Sequence, residues 1–362
     1  MLYKFDEILV DDTKSCKKIK KQDYLTTGKY PIIDQGQTKV SGYWNDANDL
    51  YEDVPAIIFG DHTRIVKYVD KPFFIGADGV KVIICKNKDI NYKYLFYLLK
   101  SIHIPNTGYS RHFKWIKNYQ FDIHDIKDQK RIVDTLDSIS NIINLRKKQL
   151  EIIDLLVKAK FNEMFGDPVL NTLKFPVGNL SDIALYRNGL TYRPEDVAEK
   201  GLLVLRSSNI QNDIIVFDDN VYVNCRVDND LMVNNNDILM CSRNGSAKLV
   251  GKVGLINKGN NFSATFGAFM MIIRSDYYPY LLWYFRTEAF RQQIKNGATT
   301  TINQITRRML DKIKLPIPEK DIVDKFKIFI DKVEENKTSI QSVINQLETL
   351  RDSLMQKYFM EQ

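Results

Sequence analysis

Cysteine is scarce and scattered: Cys16, Cys85, Cys225 and Cys241 are the only four in 362 residues. No CxxC pair and no Cys/His cluster exists, which argues against a zinc module and against a disulfide-stapled secreted fold. The opening MLYKFDEILVDD lacks the basic, apolar, small-residue order of a signal peptide. No apolar run reaches the roughly 18 residues that a membrane-spanning helix needs. The expectation is a cytoplasmic protein with no membrane partner.

Catalytic signatures are missing as well. A phosphate-cradling loop needs Gly-x4-Gly-Lys-Ser/Thr, so that backbone amides and a lysine surround the phosphates. Gly245 and Gly251 are separated by five residues, and Val253 stands where the hydroxyl should be. An adenine methyltransferase would need a glycine-rich cofactor loop and an Asn/Asp-Pro-Pro-aromatic run to hold a flipped base, and neither occurs. The nearest Glu-x-Lys, Glu335-Asn336-Lys337, falls in a helical pattern and reads as a solvated face rather than a metal-nuclease site. No GxSxG elbow is present. The four histidines, His62, His103, His112 and His124, all lie in the first half, so no histidine step can be common to both halves. These absences predict a chain that catalyses nothing by itself and holds no metal or cofactor.

What is present is repetition. The chain is longer than one hydrophobic core usually serves. From Gln129 to Phe165, apolar residues fall at Ile132, Leu136, Ile139, Ile143, Leu150, Ile153 and Val157, a heptad seam interrupted by Arg146 and Lys160. From Lys320 to Phe359 the same alternation runs through Ile322, Phe326, Phe329, Val333, Ile340, Val343, Leu347, Leu350 and Leu354, with Asn336 as its polar member. Placing RIVD (131–134) on DIVD (321–324) needs an offset of 190, and QLEIIDLLVKAKF (149–161) on QLETLRDSLMQKY (346–358) needs 197. The second helix is therefore expected to be one heptad longer, with its face preserved. Gly166-Asp167-Pro168 ends the first helix, and Phe161, Phe165, Tyr358 and Phe359 look like anchors at the helix ends.

Around these helices, residues 1–125 and 170–318 consist of short β-branched and aromatic runs broken by Gly, Asn and Asp, such as VPAIIFGDH, GVKVIIC, DILMCSR and GAFMMIIRS. Each segment carries one helix-like stretch, 91–102 and 277–294, followed by a polar turn and a last strand.

The loops of both segments carry residue types that read nucleic acid, and a formal charge of +7 suits a polyanion. In the first segment these are Gln35, Gln37, Lys39, Tyr43, His62, Thr63, Arg64, Arg111, His112 and Lys114. In the second they are Arg187, Asn188, Tyr192, Arg193, Arg206, Ser207, Asn209, Arg243, Asn244, Lys248, Thr300, Asn303 and Arg307. Arg and Lys pair with guanine, Asn and Gln with adenine, and Ser, Thr and further basic residues grip phosphates. A coiled-coil scaffold whose globular parts bind proteins would show the same helices without DNA specificity.

YPIIDQG with VPAIIFGDHTRIVKYVDKPFFIGADGVKVI, then KFNEMFGDP, NGLTY, NDILMCSRNG and TTTINQITRRMLDKIKLPIP, resemble in order, spacing and duplication the specificity subunit of type I restriction–modification systems. The resemblance covers essentially the whole chain. It implies an α+β fold with two target-recognition domains separated by two long antiparallel coiled-coil helices, related by an internal pseudo-twofold repeat. The boundaries are then 1–125 and 167–318 for the recognition domains, and 126–166 and 319–362 for the helices. It further implies a non-catalytic subunit that binds double-stranded DNA, each domain reading half of a split target. The helices would set the spacer and dock two modification subunits, which carry S-adenosylmethionine and methylate adenine. A full restriction complex adds two restriction subunits with ATP and Mg²⁺. The opening KFDEILVDDTKSCKKIKK matches FPVGNLSDIALYRNG of the second segment poorly, so the sequence does not assign equivalent contacts there.

Overall fold

Continuous apolar runs want burial on both faces, and they become the central strands. The computed structural model describes residues 2–76, 78–108, 110–257, 262–297 and 303–360. Two units form, Met1–Lys148 with Ile340–Gln362, and Gln149–Ser339. In the first, β1 (Leu2–Tyr3), helix α1 (Phe5–Ile8) and β2 (Leu9–Asp11) lead to β3 (Tyr30–Ile33) and β4 (Gly42–Trp44). They are followed by β5 (Ala56–Gly60), β6 (Val66–Val69), β7 (Phe74–Ile75), β8 (Val80–Cys85), α2 (Tyr92–Ser101), α3 (Phe113–Lys117), β9 (Phe121–Asp122) and the long α4 (Ile126–Phe165). Every residue of β5 is buried, at the inside of an antiparallel sheet ordered β2-β8-β5-β6. A second sheet, β4-β3-β7, pairs β3 and β7 in parallel, and β1 pairs with β9.

The second unit uses the same plan with insertions. Its strands are β10 (Val177–Asn179), β11 (Leu185–Asn188), β12 (Val197–Ala198), β13 (Leu202–Leu205), β14 (Ile210–Gln211), β15 (Ile214–Ile215) and β16 (Val221–Val223). Then come β17 (Ile238–Cys241), β18 (Val253–Leu255), β19 (Ala264–Phe266), β20 (Met270–Arg274), α5 (Tyr278–Tyr284), α6 (Glu288–Gly297), α7 (Arg307–Leu310), β21 (Lys314–Pro316) and α8 (Lys320–Phe359). The sheet β11-β20-β17-β18 repeats β2-β8-β5-β6, the parallel pair β13/β19 repeats β3/β7, and β10/β21 repeats β1/β9. The helix expected over 277–294 is two helices, because Thr287 bonds back to the Tyr284 carbonyl and its hydroxyl accepts from Phe290 N–H.

The openings of the two segments match poorly in sequence, yet they fold alike. In each unit a short strand, one tight helical turn and a second strand follow each other, and an acidic side chain closes the turn. Glu7 accepts from Lys4 N–H at 2.6 Å, and Asp182 accepts from Asn179 N–H at 2.7 Å. KFDE and NLSD share this capping geometry while sharing little else.

Helices α4 and α8 each contain 40 residues, about 60 Å at the usual rise. The extra heptad expected in the second is therefore absent. Phe165 packs on Tyr280 at 4.9 Å in one unit and Phe359 on Tyr94 at 5.4 Å in the other, so a single offset of 194 relates both ends. The two helices run antiparallel within each unit: Asp154 meets Lys337 while Phe161 meets Phe326, and Lys147 meets Glu348 while Leu136 shares a core with Met355. The seam of α8 also moves. Asn336 is exposed, Lys337 takes the inward position, and Ile344 and Met355 are buried where Val343 and Leu354 were expected. A straight helix turns every 3.6 residues, so a strict 3.5 pattern drifts by one position over several turns. Gly166 ends α4 at a φ of +68°, where a Cβ would lie 2.3 Å from Thr172 Oγ1.

Candidate nucleic-acid interface

In the second unit, one end of β17 and β20 and the exits of β11 and β13 surround a cleft of about 1760 Å³. Asn188, Tyr192, Arg206, Ser207, Arg243, Asn244, Asn303 and Arg307, all expected from the sequence, line it together. Ser208, Phe269, Gln304 and Arg308 join them without having been foreseen. Four arginines face one aspartate, Asp219, which Arg206 engages at 2.9 Å. Among the described residues, Arg243, Arg307 and Arg308 have no carboxylate partner. Such a cleft attracts an anion or a ligand rich in acceptors.

Backbone hydrogen bonds hold the cleft walls. Ser242 and Arg243 N–H both donate to the Phe269 carbonyl, at 2.9 and 3.1 Å, and Ile305 N–H donates to the Ser242 carbonyl at 2.7 Å. Asn244 donates from its side chain to Ser207 Oγ at 3.3 Å, linking two of the loops. Asn209 is fully buried, its amide spent on the carbonyls of Val216 and Asp219, so it shapes the loop from inside. Arg187 and Arg193 lie outside the cleft, paired with Asp230 and Glu195. Lys248 is exposed away from the cleft lining, and Thr300 lies outside the described residues.

The first unit builds the corresponding loops from different chemistry. Asp61 N–H donates to the Gly79 carbonyl as Ser242 does to that of Phe269, and His112 N–H donates to the Asp61 carbonyl as Ile305 does to that of Ser242. His62 therefore occupies the place of Arg243, and Gln35 follows β3 as Ser207 follows β13. Gln35 Nε2 donates to the Asp78 carbonyl, its Oε1 accepts from His62 N–H, and Thr63 donates to its carbonyl at 2.7 Å. His112 is buried, with Nδ1 2.9 Å from the Asp61 carbonyl, and Arg64 spends a guanidinium hydrogen on the Ile104 carbonyl at 3.1 Å. These two side chains hold the turn and face inward. Gln37, Lys39, Arg111 and Lys114 are exposed, and Tyr43 is half-buried on β4.

Lys67, buried beneath the 34–38 loop, donates to the carbonyls of Asp34 and Thr38 at 2.6 and 2.7 Å. Burial pushes its ammonium below the usual lysine range, against the opposing pull of Asp34. Three of the four cysteines are shielded thiols: burial lifts Cys16 to about 12 and raises Cys85 and Cys241 as well. Among the described residues no group of three potential metal ligands occurs, and no helix is long and apolar enough to cross a membrane.

The family model of the type I restriction modification DNA specificity domain matches residues 4–154 and again 173–347. The specificity subunit of the type I restriction enzyme EcoR124I/EcoR124II of Escherichia coli is 28% identical over 36% of this chain and 37% of its own length. That of the StySPI enzyme of Salmonella potsdam is 25% identical over 51% of this chain and 43% of its own. The matched part is thus less than half the length of either relative. In fold, the chain is similar to the S subunit of a type I restriction–modification system from M. genitalium, with a TM-score of 0.60 at 15% identity over 100% of this chain and 96% of that one. A structure reported for complex assembly and conformational transition of the type I R-M system gives the same score and identity, over 100% and 97%. With two matches to one domain model, in the two units whose sheets repeat each other, the chain belongs to the family of type I restriction–modification specificity subunits.

Proposed function

We propose that this chain is the non-catalytic sequence-reading subunit of a type I restriction–modification complex, each unit reading one half of a bipartite duplex target. The observation that carries this reading is the cleft of the second unit, where Arg243, Arg307 and Arg308 have no carboxylate partner among the described residues and stand beside asparagines, glutamine and serine. Arginine and asparagine offer the donor patterns that guanine and adenine edges accept, while outlying basic residues such as Lys39, Arg111, Lys114 and Lys248 neutralise phosphates. The first unit presents histidine and glutamine where the second presents arginine and serine, so the two half-sites differ. The 40-residue helices set the length of the unread spacer and dock two modification subunits. Those subunits supply S-adenosylmethionine and methylate adenine, and restriction subunits with ATP and Mg²⁺ add cleavage.

An electrophoretic shift assay on genomic duplex fragments, with the modification subunits present, tests this. Retarded complexes that weaken steeply with salt are expected, because each phosphate contact contributes about −0.9 to the logarithmic salt slope. No shift at low salt would favour a protein-binding scaffold instead.

A further inference from the structure

Phe269 is out of place by the logic of its own strand. Met270 and Met271 beside it are buried, yet Phe269 is 57% exposed and stands in the basic cleft. The turn that presents it is firmly held. Met270 N–H donates to the Gly267 carbonyl at 2.8 Å, Gly267 N–H to that of Leu205 at 2.9 Å, and Leu190 N–H to that of Phe266 at 2.7 Å. Gly189 allows the close approach, since a Cβ there would lie 2.2 Å from the Gly267 carbonyl oxygen. The Phe269 carbonyl faces inward to accept from Ser242 and Arg243, and the ring is left outside.

Arg243 lies on that ring, its Cζ 5.2 Å from the centroid. Among the described residues its guanidinium makes no hydrogen bond and no ion pair. A guanidinium held over a fixed aromatic face loses part of the freedom of a long side chain and keeps its fork of donors available. The result is a pair that sets a fork of donors next to an exposed apolar surface. A phosphate would satisfy the donors but leaves the ring facing water. The major-groove edge of a guanine beside a thymine satisfies both, with O6 and N7 for the fork and the C5 methyl for the ring.

We infer that Arg243 and Phe269 together read a guanine–thymine step, in either order, within the half-site of the second unit. This rests on the proposed DNA-reading function and assigns it a base content. Gly79 takes the place of Phe269 in the first unit, and a Cβ there would meet Gln35 and His62 at 2.6–2.8 Å. No ring fits at that point, so the first half-site has no equivalent methyl contact.

The test uses the full chain co-expressed with its modification subunit, and reads the methylated motif for the wild type, R243A, R243K, F269A and F269L. One half-site should contain adjacent guanine and thymine. R243A should relax the guanine about tenfold or more, as expected when a bidentate pair is lost, and R243K, which keeps the charge but not the planar fork, should relax it less. F269A should relax the thymine and, by freeing Arg243, the guanine less than R243A does; F269L should largely keep the thymine, and the other half-site should not change. Duplexes carrying uracil for that thymine lack only the methyl. They should bind wild type about fourfold more weakly, and F269A equally with either base. A wild-type motif lacking such a step overturns the inference. So does an R243A variant that weakens all sequences alike, which marks a phosphate contact, or an F269A variant that still separates thymine from uracil. Absence of any motif with wild type would defeat the underlying DNA-reading function instead.

Discussion

Lys67 reaches beneath the 34–38 loop and donates to the Asp34 carbonyl at 2.6 Å, with the Asp34 carboxylate 3.7 Å away. A buried ammonium with several acceptors ties down the segment that carries Gln35 and Gln37, so the positioning of one candidate reading loop depends on a residue buried beneath it. K67M fills similar volume but leaves the Asp34 and Thr38 carbonyls without their donor, at a cost of about 1–3 kcal/mol. Motif sequencing should show the half-site of the first unit blurred and that of the second intact. Equal loss in both would mean global unfolding.

The end of helix α4 is an aromatic anchor. Phe165 lies 4.9 Å from Tyr280 and 5.1 Å from Phe326, and is almost fully buried. F165A should destabilise the second unit by about 3–5 kcal/mol in urea unfolding. The exposed neighbour Glu163 serves as control, with E163A expected within about 0.5 kcal/mol of wild type.

Asp11 gives the first unit an acid-sensitive joint between β2 and β8. Burial alone would raise its carboxyl pKa, but hydrogen bonds from Thr13 and Lys81 outweigh burial and hold it below the ordinary aspartate value. A folded pKa below the unfolded one contributes stability that is present above pH 4 and lost as pH falls through the folded value. Wild-type unfolding free energy should therefore drop below pH 4 more steeply than that of D11N. Parallel curves would show that Asp11 is not responsible.

If helix length sets the spacer, removing seven residues from both α4 and α8 keeps their buried faces and shortens each by about 10 Å. The methylated motif should lose about three base pairs of spacer, at 3.4 Å per pair, with both half-sites unchanged. An unchanged spacer would remove the ruler from the account.

Much of this architecture was legible because it depends on period and repetition. The buried runs AIIFG and ILMC, the seam from Ile132 to Val157 and the stop at Gly166 all declare themselves locally. The register of α8 beyond Val333 did not, since it depends on how far a straight helix drifts from a heptad. The sites were only partly readable for another reason. Loop composition says which residues can contact DNA, while burial decides which do not. His112 and Asn209 have suitable side chains but spend them on backbone carbonyls. Phe269 was hidden in the opposite way: GAFMMIIRS reads as one core strand, and only the turn at Gly267 shows that its one aromatic points out.

The central claim is that this chain imposes a two-part DNA sequence on a methyltransferase. Single-molecule methylation sequencing of a host expressing the chain with its modification subunit tests it directly. The account predicts methylated adenines in one asymmetric motif, with two specified halves separated by a fixed unread gap. A continuous motif, or methylation without any motif that depends on this chain, would contradict it.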